Sequence, residues 1–396
     1  MHGAHCTVEG ARAAARHLGD QRLMPVTVVG VAEALGAVLS KPLLAASDVP
    51  VADASAMDGF AVHGPGPWRV RGTVLAGDAS ARAITDGEAV EVATGALVPP
   101  GTDRVLPVEL VTVEPVAEEG ARLQLVGDRP DRDHVRPRGE ECVVGELLLP
   151  AGRRVTAAVV GLAASTGSDT LQVRPAPRVH ALVTGDELVT AGVPRPGQVR
   201  DAVGPLLPAA VHSLGGRLAG LDRCGDAVGE LDAALEAMVR GDADVLLTCG
   251  MAGAGPADRL RPWLASVGAR LVVDGVAVRP GHPQVLAVLP DGRPLVGLPG
   301  NPLAAVSALL VLLRPLLGGL SGALDDEPER AVLVGWRPKG RPAASLVPVR
   351  RCGAGRVEPS GPAGPAQLRG LAAADAVALV PQDWDTVSSV ELLPRP

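Results

Sequence analysis

Segments with strand-like and helix-like patterns alternate along residues 177–324, and this alternation constrains the fold more than any other feature of the chain. Val228–Arg240 is the clearest helix, because its apolar residues recur at helical spacing and Gly241 follows its end. Strands that alternate with helices predict a parallel sheet with helices on both faces. The predicted strands are Arg178–Val183, Ala243–Thr248 and Arg293–Leu298, and the predicted helices are Pro205–Leu214, Val228–Arg240, Asp258–Val267 and Leu303–Leu313.

The chain outside this region has a different pattern of apolar and turn-forming residues. Residues 7–42, including Val31–Leu39, and Val155–Ala164 carry apolar residues at helical spacing. Short Val- and Leu-rich runs separated by Gly, Pro and Asp predict strands between residues 46 and 145 and again after residue 326. We therefore predict a multidomain α/β plus β fold. Its parts are a discontinuous helical and β linking and dimerisation region (1–45 and 141–176), an inserted small β domain (46–140), an α/β parallel-sheet domain (177–324) and a C-terminal β domain (325–396).

Composition excludes several classes of function. The formal net charge is −7 and no strongly basic stretch occurs, so nucleic acid is not an expected partner. The chain has one Phe, no Tyr and four Trp, so the stacking platforms that single-stranded nucleic acid needs are scarce. Five dispersed Cys without a C-x-x-C pair indicate a reducing compartment and no zinc site.

Two features bear on location. Residues 1–20 contain no apolar run, so no signal peptide is predicted. Pro302–Leu324 is the best candidate for a membrane span, but Arg314 and Pro315 interrupt it and the apolar run before them is too short to cross a bilayer. A buried helix is the better interpretation, and we expect a cytoplasmic protein with no membrane partner.

Three joints between predicted strands and the segments after them carry unusual loops. In open α/β sheets, ligands bind at such carboxyl ends of strands. The first joint, Thr184–Leu188, places Asp186 and Glu187 side by side after a glycine. Adjacent carboxylates can hold Mg²⁺, or they can complement the dipole at the start of a helix. The residues alone leave both interpretations open.

The other two joints have similar alternatives. Gly250–Gly255 is a Gly-rich loop that could bring backbone N–H groups to an anion, or could be a plain connection. In the third joint, Asn301 suits the N-cap of a helix and Pro302 its first residue. Helix capping explains Asn301 and Pro302, but it does not explain why Pro299 stiffens the segment that leads to them.

Further motifs lie outside these joints. Arg279–Pro283 holds a cation and an imidazole in a rigid turn, which suits an oxyanion, although a surface turn is the alternative. In the predicted small β domain, Asp58 precedes a glycine and Thr94 begins a loop rich in turn residues. Each motif is weak by itself.

In this order, the motifs resemble the MoeA family of molybdopterin molybdenumtransferases, which includes the E domain of gephyrin. The resemblance runs from about residue 7 to the C-terminus. It rests on D-V-P at 48–50, S-A-M-D-G at 55–59, T-G-A at 94–96, P-P-G-T-D at 99–103 with Glu109, R-G-E at 138–140, T-G-D-E-L at 184–188, P-G at 280–281 and L-P-G-N-P at 298–302.

The resemblance implies a function and an assembly. Family members insert molybdate into adenylylated molybdopterin with release of AMP, assisted by Mg²⁺ or a similar ion. They act as elongated homodimers in which the α/β domain of one chain faces the small β domain of the other. A molybdopterin adenylyltransferase is the implied upstream partner.

The resemblance also implies roles for particular residues. Asp58 and Thr94 would line the oxyanion and metal region, whereas Arg279 and His282 would contact phosphate or molybdate. The implied catalytic residues are Asp58, Thr94, Glu187 and Asp258. The implied ligand-binding residues are Gly250, Gly255, Arg279, His282, Pro299, Asn301 and Pro302, and the implied metal ligands are Asp58, Asp186 and Glu187.

The chain departs from the family at several of these positions. The family's Gly-Gly-Val-Ser-x-Gly loop is Gly250–Gly255 here, and Met251 puts a bulky side chain where backbone should approach a phosphate. Arg279 and His282 replace two lysines. A third lysine is replaced by Gly275, and a Ser/Thr-Asn pair by Ala202 and Val203.

These departures leave alternatives to an active transferase. A catalytically impaired paralogue would keep the fold and act as a binding or scaffold protein. An enzyme for a different anionic nucleotide would keep the acids and change the specificity residues. The transferase is the principal hypothesis.

Overall fold

The computed structural model describes residues 6–116, 120–253, 259–338 and 343–396. Its helices are α1 Val8–Asp20, α2 Ala157–Ser165, α3 Val203–Ser213, α4 Val228–Arg240, α5 Leu260–Ser266, α6 Pro302–Ala308, α7 Arg314–Ser321 and α8 Arg369–Ala372, with 3₁₀ turns at Val31–Ala34 and Val108–Leu110 and a π turn at Leu309–Leu313.

The strands are numbered in chain order. They are β1 Thr27–Gly30, β2 Val38–Leu39, β3 Leu43–Leu44, β4 Ala54–Ser55, β5 Gly59–Val62, β6 Trp68–Val74, β7 Glu88–Val92, β8 Arg104–Pro107, β9 Val111–Val116, β10 Gly120–Leu125, β11 Val135–Arg136, β12 Leu147–Leu149, β13 Thr170–Arg174, β14 Arg178–Thr184, β15 Leu188–Val189, β16 Val199–Arg200, β17 Arg217–Cys224, β18 Val245–Cys249, β19 Arg270–Asp274, β20 Val278–Arg279, β21 Val285–Val288, β22 Pro294–Leu298, β23 Glu329–Leu333, β24 Ala344–Gly353, β25 Arg356–Pro359, β26 Ala376–Val380 and β27 Ser389–Leu393.

The predicted α/β region forms a six-stranded sheet of order β17-β14-β18-β22-β21-β19. The first four strands are parallel, as predicted. The last two are antiparallel, so the sheet is mixed. The chain must reverse between β21 and β22, because a tight turn at Leu289–Arg293 joins them without a helix. The carboxyl ends of the four parallel strands therefore share one edge.

The N-terminal segment is helical only in its first part. Thr7 caps α1 by accepting a hydrogen bond from the Gly10 N–H at 3.0 Å. The predicted helix over Val31–Leu39 is wrong, since a 3₁₀ turn and the short strand β2 occupy this stretch. β1, which is rich in β-branched residues, and β2 both pair with β13, so tertiary pairing overrides the local helical spacing.

Two further six-stranded sheets flank the α/β sheet in sequence. One has the order β8-β5-β7-β6-β10-β9 and is built from residues between 59 and 125. The other has the order β20-β24-β25-β23-β27-β26. Because β20 belongs to this second sheet, the Arg279 turn is attached directly to the C-terminal β region.

Among the described residues, one helical stretch, Pro302–Ser321, is long and apolar enough to cross a membrane by length and composition. Its most apolar window is 83% buried inside the protein, and a core helix passes the same test. Arg314 and Pro315 do not end it. The π turn Leu309–Leu313 lies directly before Pro315, a residue that has no N–H to donate.

Helix α1 crosses α7 at very short distance. A Cβ atom added to Gly319 would lie 2.4 Å from the carbonyl oxygen of Arg16 and 2.8 Å from the amide nitrogen of Asp20. The neighbouring Gly318 differs, because a Cβ there would meet only the guanidinium tip of Arg16, at 3.3 Å. Backbone atoms cannot move aside as a side-chain tip can, so of these two glycines the crossing requires Gly319. On α1 it requires Gly19, where a Cβ atom would lie 2.4 Å from the Leu316 carbonyl oxygen.

We expect Gly319→Ala to lower the free energy of unfolding by about 1–3 kcal/mol, because the added methyl group forces the two helices apart. The matched variant Gly318→Ala should be neutral or stabilise by up to about 1 kcal/mol through helix propensity. Urea unfolding of both variants measures the difference. Equal stability of the two variants would contradict the crossing described above.

Candidate functional site

Three of the predicted loops meet at the carboxyl edge of the α/β sheet. The Thr184 hydroxyl donates a hydrogen bond to the Cys249 carbonyl at 3.3 Å. The Cys249 thiol in turn donates to the Pro299 carbonyl at 3.4 Å. Burial raises the pKa of this thiol to about 12, so it stays protonated and serves packing. The ends of β14, β18 and β22 are thus tied side by side.

Gly250 allows this close approach. Its φ is +110°, and a Cβ atom there would lie 2.4 Å from the Thr184 carbonyl oxygen. A side chain at this position would separate the two strand ends, since carbonyl backbone cannot move away. The predicted site residue Gly250 therefore has a structural reason to be glycine.

The expectation for Met251 is wrong. Its side chain is 1% exposed and belongs to a hydrophobic cluster with Leu182 and Trp263. It therefore packs into the core and does not occupy space at the sheet edge. The predicted site residues Gly255 and Asp258 lie outside the described residues.

Asp186 and Glu187 lie exposed at the same edge. Asp186 exchanges hydrogen bonds with Asp226, since the Asp226 N–H donates to Asp186 Oδ1 at 3.0 Å and the Asp186 N–H donates to Asp226 Oδ2 at 3.3 Å. The carboxylates here create a negative potential. Together with burial, which is the larger cause, the negative charge of Glu230, Asp226, Asp186 and Asp222 raises the pKa of Cys224 to about 11.

The helix-dipole interpretation of Asp186 and Glu187 does not hold. The residues after them form β15, which pairs with β16, and the next helix, α3, begins only at Val203. A carboxylate at a helix N-terminus needs a helix that starts there. The other interpretation, a binding site for a cation, stays a prediction.

The Arg279–Pro283 turn rests on helix α6. The Gln284 side chain, fully buried, donates from Nε2 to the Gly281 carbonyl at 2.8 Å and to the Ser307 hydroxyl at 3.1 Å. Arg279 and His282 themselves are exposed. The turn is therefore fixed by the core, while its two cationic or titratable side chains face outward.

Both side chains line a cavity of about 1230 Å³ between this turn and the C-terminal sheet. The opposite wall was not predicted from the sequence. It comes from two C-terminal loops and the strands behind them, and it includes Trp336, Arg337 and Pro365. Each of these residues lacks a local motif. Long-range contacts bring them to the turn, including the pairing of β20 with β24 and the hydrogen bonds between Pro365 and the start of α6.

Asn301 occupies the N-cap position of α6, but its side chain makes no capping hydrogen bond. The prediction of side-chain capping is therefore wrong. The Pro365 carbonyl accepts hydrogen bonds from the Leu303 and Ala304 N–H groups, at 2.9 and 3.2 Å, and so satisfies the helix start. The exposed Asn301 amide is left available for a ligand. Pro302 is the first helical residue, as predicted.

Asp58 and Thr94 form a compact pair in the small β sheet. The Thr94 N–H and hydroxyl both donate to Asp58 Oδ1, at 2.7 and 2.9 Å. These hydrogen bonds hold the pKa of Asp58 below its ordinary value. The buried Ser55 backbone fixes the loops, since its N–H donates to Ala96 and its carbonyl accepts from Gly95.

One chain does not bring the two halves of the predicted site together. Within the described residues, both hydrogen bonds to the Asp58 carboxylate come from Thr94. No group of three His, Cys, Asp or Glu residues in that part of the chain could hold a metal ion. Asp58, Asp186 and Glu187 therefore do not form a joint metal site within a single chain.

The structure shows the surroundings of two positions, Val203 and Gly275, at which this chain departs from the family that it resembles. Val203 is 4% exposed and packs in the main core, so it cannot replace a polar contact. Gly275 is buried, and its backbone bonds Gln284 and Cys6. The chain therefore lacks the polar side chain at Val203 and the lysine at Gly275, and Arg279 and His282 are the cationic or titratable groups of this turn.

Comparison with known proteins decides the family. The chain is 34% identical over 379 residues to molybdopterin molybdenumtransferase 2 of Mycobacterium tuberculosis, an alignment that covers 91% of each protein. The chain belongs to the molybdopterin molybdenumtransferase family. It is also 28% identical over 329 residues to molybdopterin molybdenumtransferase of Staphylococcus aureus, covering 79% of this chain and 76% of that protein.

Domain profiles and solved structures agree with this family. Residues 6–167 match the MoeA N-terminal region (domain I and II), and residues 180–319 match the probable molybdopterin binding domain. The crystal structure of the molybdopterin biosynthesis MoeA protein from Pyrococcus horikosii superposes with a TM-score of 0.71 at 25% identity, covering 99% of this chain and 100% of that one. The predicted multidomain fold is thereby confirmed.

We expect Thr94→Val to raise the pKa of Asp58 toward its ordinary value, because one of its two hydrogen-bond donors is lost. The remaining backbone donor should keep the pKa slightly low. Since the folded-state pKa is depressed, the stabilisation by this pair is present above the ordinary Asp range and is lost as pH falls through the lowered pKa. Carbon-13 NMR titration of Asp58 measures the shift. Thr102→Val, whose hydroxyl bonds Pro99, is the control and should leave Asp58 unchanged.

Proposed function

We propose that this protein inserts molybdate into adenylylated molybdopterin and releases AMP. The observation that carries the proposal is the meeting of Thr184–Leu188, Gly250 and Leu298–Pro302 at one sheet edge, next to the Arg279 turn and its cavity. The relative from Mycobacterium tuberculosis, with 34% identity over 91% of each chain, is a molybdopterin molybdenumtransferase by name.

The chemistry requires two anions to approach each other. Molybdate is a dianion and the adenylylated substrate carries a phosphoanhydride, so cationic and N–H donors must offset their repulsion. Arg279 supplies a permanent cation. His282 and the Asn301 amide supply further donors, and Pro299 holds the loop that carries Asn301.

Asp58 acts as a charged acceptor in this scheme. A general base works best with a pKa near the operating pH. The depressed pKa of Asp58 makes it a weak proton acceptor but keeps it ionised, with Thr94 fixing its orientation. An ionised carboxylate can orient a cation or a hydroxyl group of the substrate. Glu187 is exposed at the sheet edge, where it suits cation binding or the positioning of the attacking group better.

Asp186 and Glu187 would hold Mg²⁺. They are adjacent, exposed and at the sheet edge, which fits an ion that takes one or two protein carboxylates and completes its shell with water and substrate phosphate. When bound, the ion would neutralise charge on the phosphoanhydride.

The proposed active form is a homodimer in which two chains complete each site. The support is that Asp58 and Thr94 are not joined to the α/β edge within one chain. A second chain could place its small β sheet opposite that edge. We also propose a cytoplasmic location and a molybdopterin adenylyltransferase as the supplier of the substrate.

Helix α2 offers a surface for such a dimer. All residues of its nine-residue sequence AAVVGLAAS are apolar except the last, yet only Val159 and Ala163 are buried. Ala157, Gly161 and Ala164 are exposed, and a Cβ atom at Gly161 would meet nothing within 4 Å. Small residues on one helix face permit a second helix to approach closely, so we assign this face to a copy of the chain.

A binding-only paralogue is not favoured. That alternative was suggested by the altered Gly250–Gly255 loop together with Gly275 and Val203, and within the loop by Met251, whose side chain would have blocked a phosphate. Its burial in the core removes the suggested obstacle.

We expect Asp58→Asn and Arg279→Gln each to lower AMP release from adenylylated molybdopterin, with molybdate and Mg²⁺ present, by roughly 10²-fold or more. Arg350→Gln, which breaks an exposed pair with Glu358 on the C-terminal sheet, is the control and should retain activity. Full activity of the Arg279 variant would remove the proposed anion site.

Mixing the two inactive variants tests the shared site. Random pairing of Asp58→Asn and Arg279→Gln chains gives heterodimers with one intact site each, so about one quarter of the parent activity should return in a two-fold dimer. No recovery from co-expressed, differently tagged chains would show that each site belongs to one chain.

We expect Gly161→Glu to shift the dimer toward monomer, because a charge would be buried against the second copy. Gly229→Glu in α4 is the matched control, since that glycine is also helical with open space around it. Sedimentation equilibrium measures the dissociation constants. Equal dimer stability in both variants would exclude α2 from the interface.

A further inference from the structure

The cavity beside Arg279 has an unusual charge distribution. Its charged or titratable lining side chains are Arg279, His282 and Arg337, and no Asp or Glu lines it among the described residues. The chain as a whole carries an excess of acids. A cavity without carboxylates in an acidic protein selects an anionic ligand.

The size of the cavity exceeds what a small oxyanion needs. Its volume of about 1230 Å³ exceeds the roughly 300–1,000 Å³ of typical small-molecule pockets. Its lining also includes apolar residues such as Val332, Leu346 and Val387. The chemistry of this wall fits a ligand that joins an anionic group to a larger, less polar one.

Trp336 gives that wall a flat aromatic surface. The chain has only five aromatic residues, one Phe and four Trp, and two of them meet here. The rings of Trp336 and Trp384 lie with centroids 6.0 Å apart and planes tilted by 47°. Trp384 is fixed in turn, since its Nε1–H donates to the Ser388 carbonyl at 2.8 Å. Trp336 is therefore backed by a held ring and is half-buried at the cavity lining.

The loop behind Trp336 stores backbone strain. Thr386 has a φ of +72°, which is rare for a β-branched residue, and it lines the cavity. Asp385 holds the loop by accepting from the Val387 and Ser388 N–H groups and from the Ser388 hydroxyl, at 3.0, 2.7 and 2.6 Å. These bonds lower the pKa of Asp385 to about 2. Strain that is held in this way is typical of ligand-binding walls.

We propose that Trp336 stacks on the fused heteroaromatic ring of a phosphate-bearing ligand, whose phosphate faces Arg279 and Arg337. The proposal rests on the proposed function and names the part of the substrate that the C-terminal β region recognises. Adenine and pterin share the required chemistry, because both are fused nitrogen heterocycles linked to a phosphate. Trp336 is then a residue for substrate specificity, on a wall outside the motifs that carry the family resemblance.

Calorimetric titration of the full-length protein with AMP, ribose 5-phosphate and molybdate separates stacking from phosphate binding. Trp336→Leu should weaken AMP binding about tenfold, because base stacking on an aromatic ring is lost. It should leave ribose 5-phosphate and molybdate within twofold of the parent. Trp336→Phe keeps an aromatic face, and it should retain most of the AMP affinity.

Several outcomes would overturn the proposal. These are no binding of AMP to the parent protein, an unchanged AMP affinity in Trp336→Leu, or an equal loss for AMP and ribose 5-phosphate, which would indicate a role of Trp336 in folding only. Arg279→Gln separates a failure of the stacking proposal from a failure of the proposed function. If it weakens all three ligands while Trp336→Leu weakens none, the proposed function stands and the stacking assignment is wrong. Repeating the titrations with a pterin phosphate shows which of the two rings the wall prefers.

Discussion

The burial of one apolar helical stretch, Pro302–Ser321, positions the rest of this molecule. Helix α1 crosses it at Gly319, where the two backbones are in contact. The Arg279 turn rests on its first turns through Gln284 and Ser307, and the C-terminal loop binds its first N–H groups through Pro365. Parts of the chain that are remote in sequence thus contact the same closely packed helical stretch. Closely packed interiors deform little. The site is precise because its loops are attached to this core.

Charge is divided between regions instead of being mixed within one pocket. The carboxylates Asp186 and Glu187 lie at the sheet edge, while the cavity beside Arg279 is lined by cationic or titratable groups without acids among the described residues. Asp58 belongs to a separate sheet. Opposite charges in contact would neutralise each other and leave little field for a ligand. The two regions therefore differ in charge, which is consistent with the cation and the phosphate of the proposed reaction.

The sequence predicts local structure well where a pattern is strong. Helix α4 was predicted to the residue, because its apolar spacing is regular and a glycine follows its end. The antiparallel strands β19 and β21 were missed, since Gly and Pro interrupt that stretch and give no periodicity. The predicted helix over Val31–Leu39 failed because pairing with β13 outweighs weak helical spacing.

The candidate site was likewise predicted from the sequence only in part. Residues alone left Asp186 and Glu187 open between two interpretations. The strand that follows them removes the helix-dipole interpretation, and their role as metal ligands stays a prediction. The family resemblance supplied the substrates and the roles of Arg279 and Asp58. Neither source could supply the wall with Trp336, because its position depends on the long-range pairing of β20 with β24.

The Pro365 carbonyl at the start of α6 also affects anion binding at this helix start. A helix start with open N–H groups attracts phosphate by itself. Here a carbonyl from the C-terminal region already occupies the Leu303 and Ala304 donors. The C-terminal region therefore covers these two donors, and the proposed phosphate site at Arg279 does not compete with them. The last part of the chain thus both covers the N–H groups at the start of α6 and lines the cavity beside Arg279.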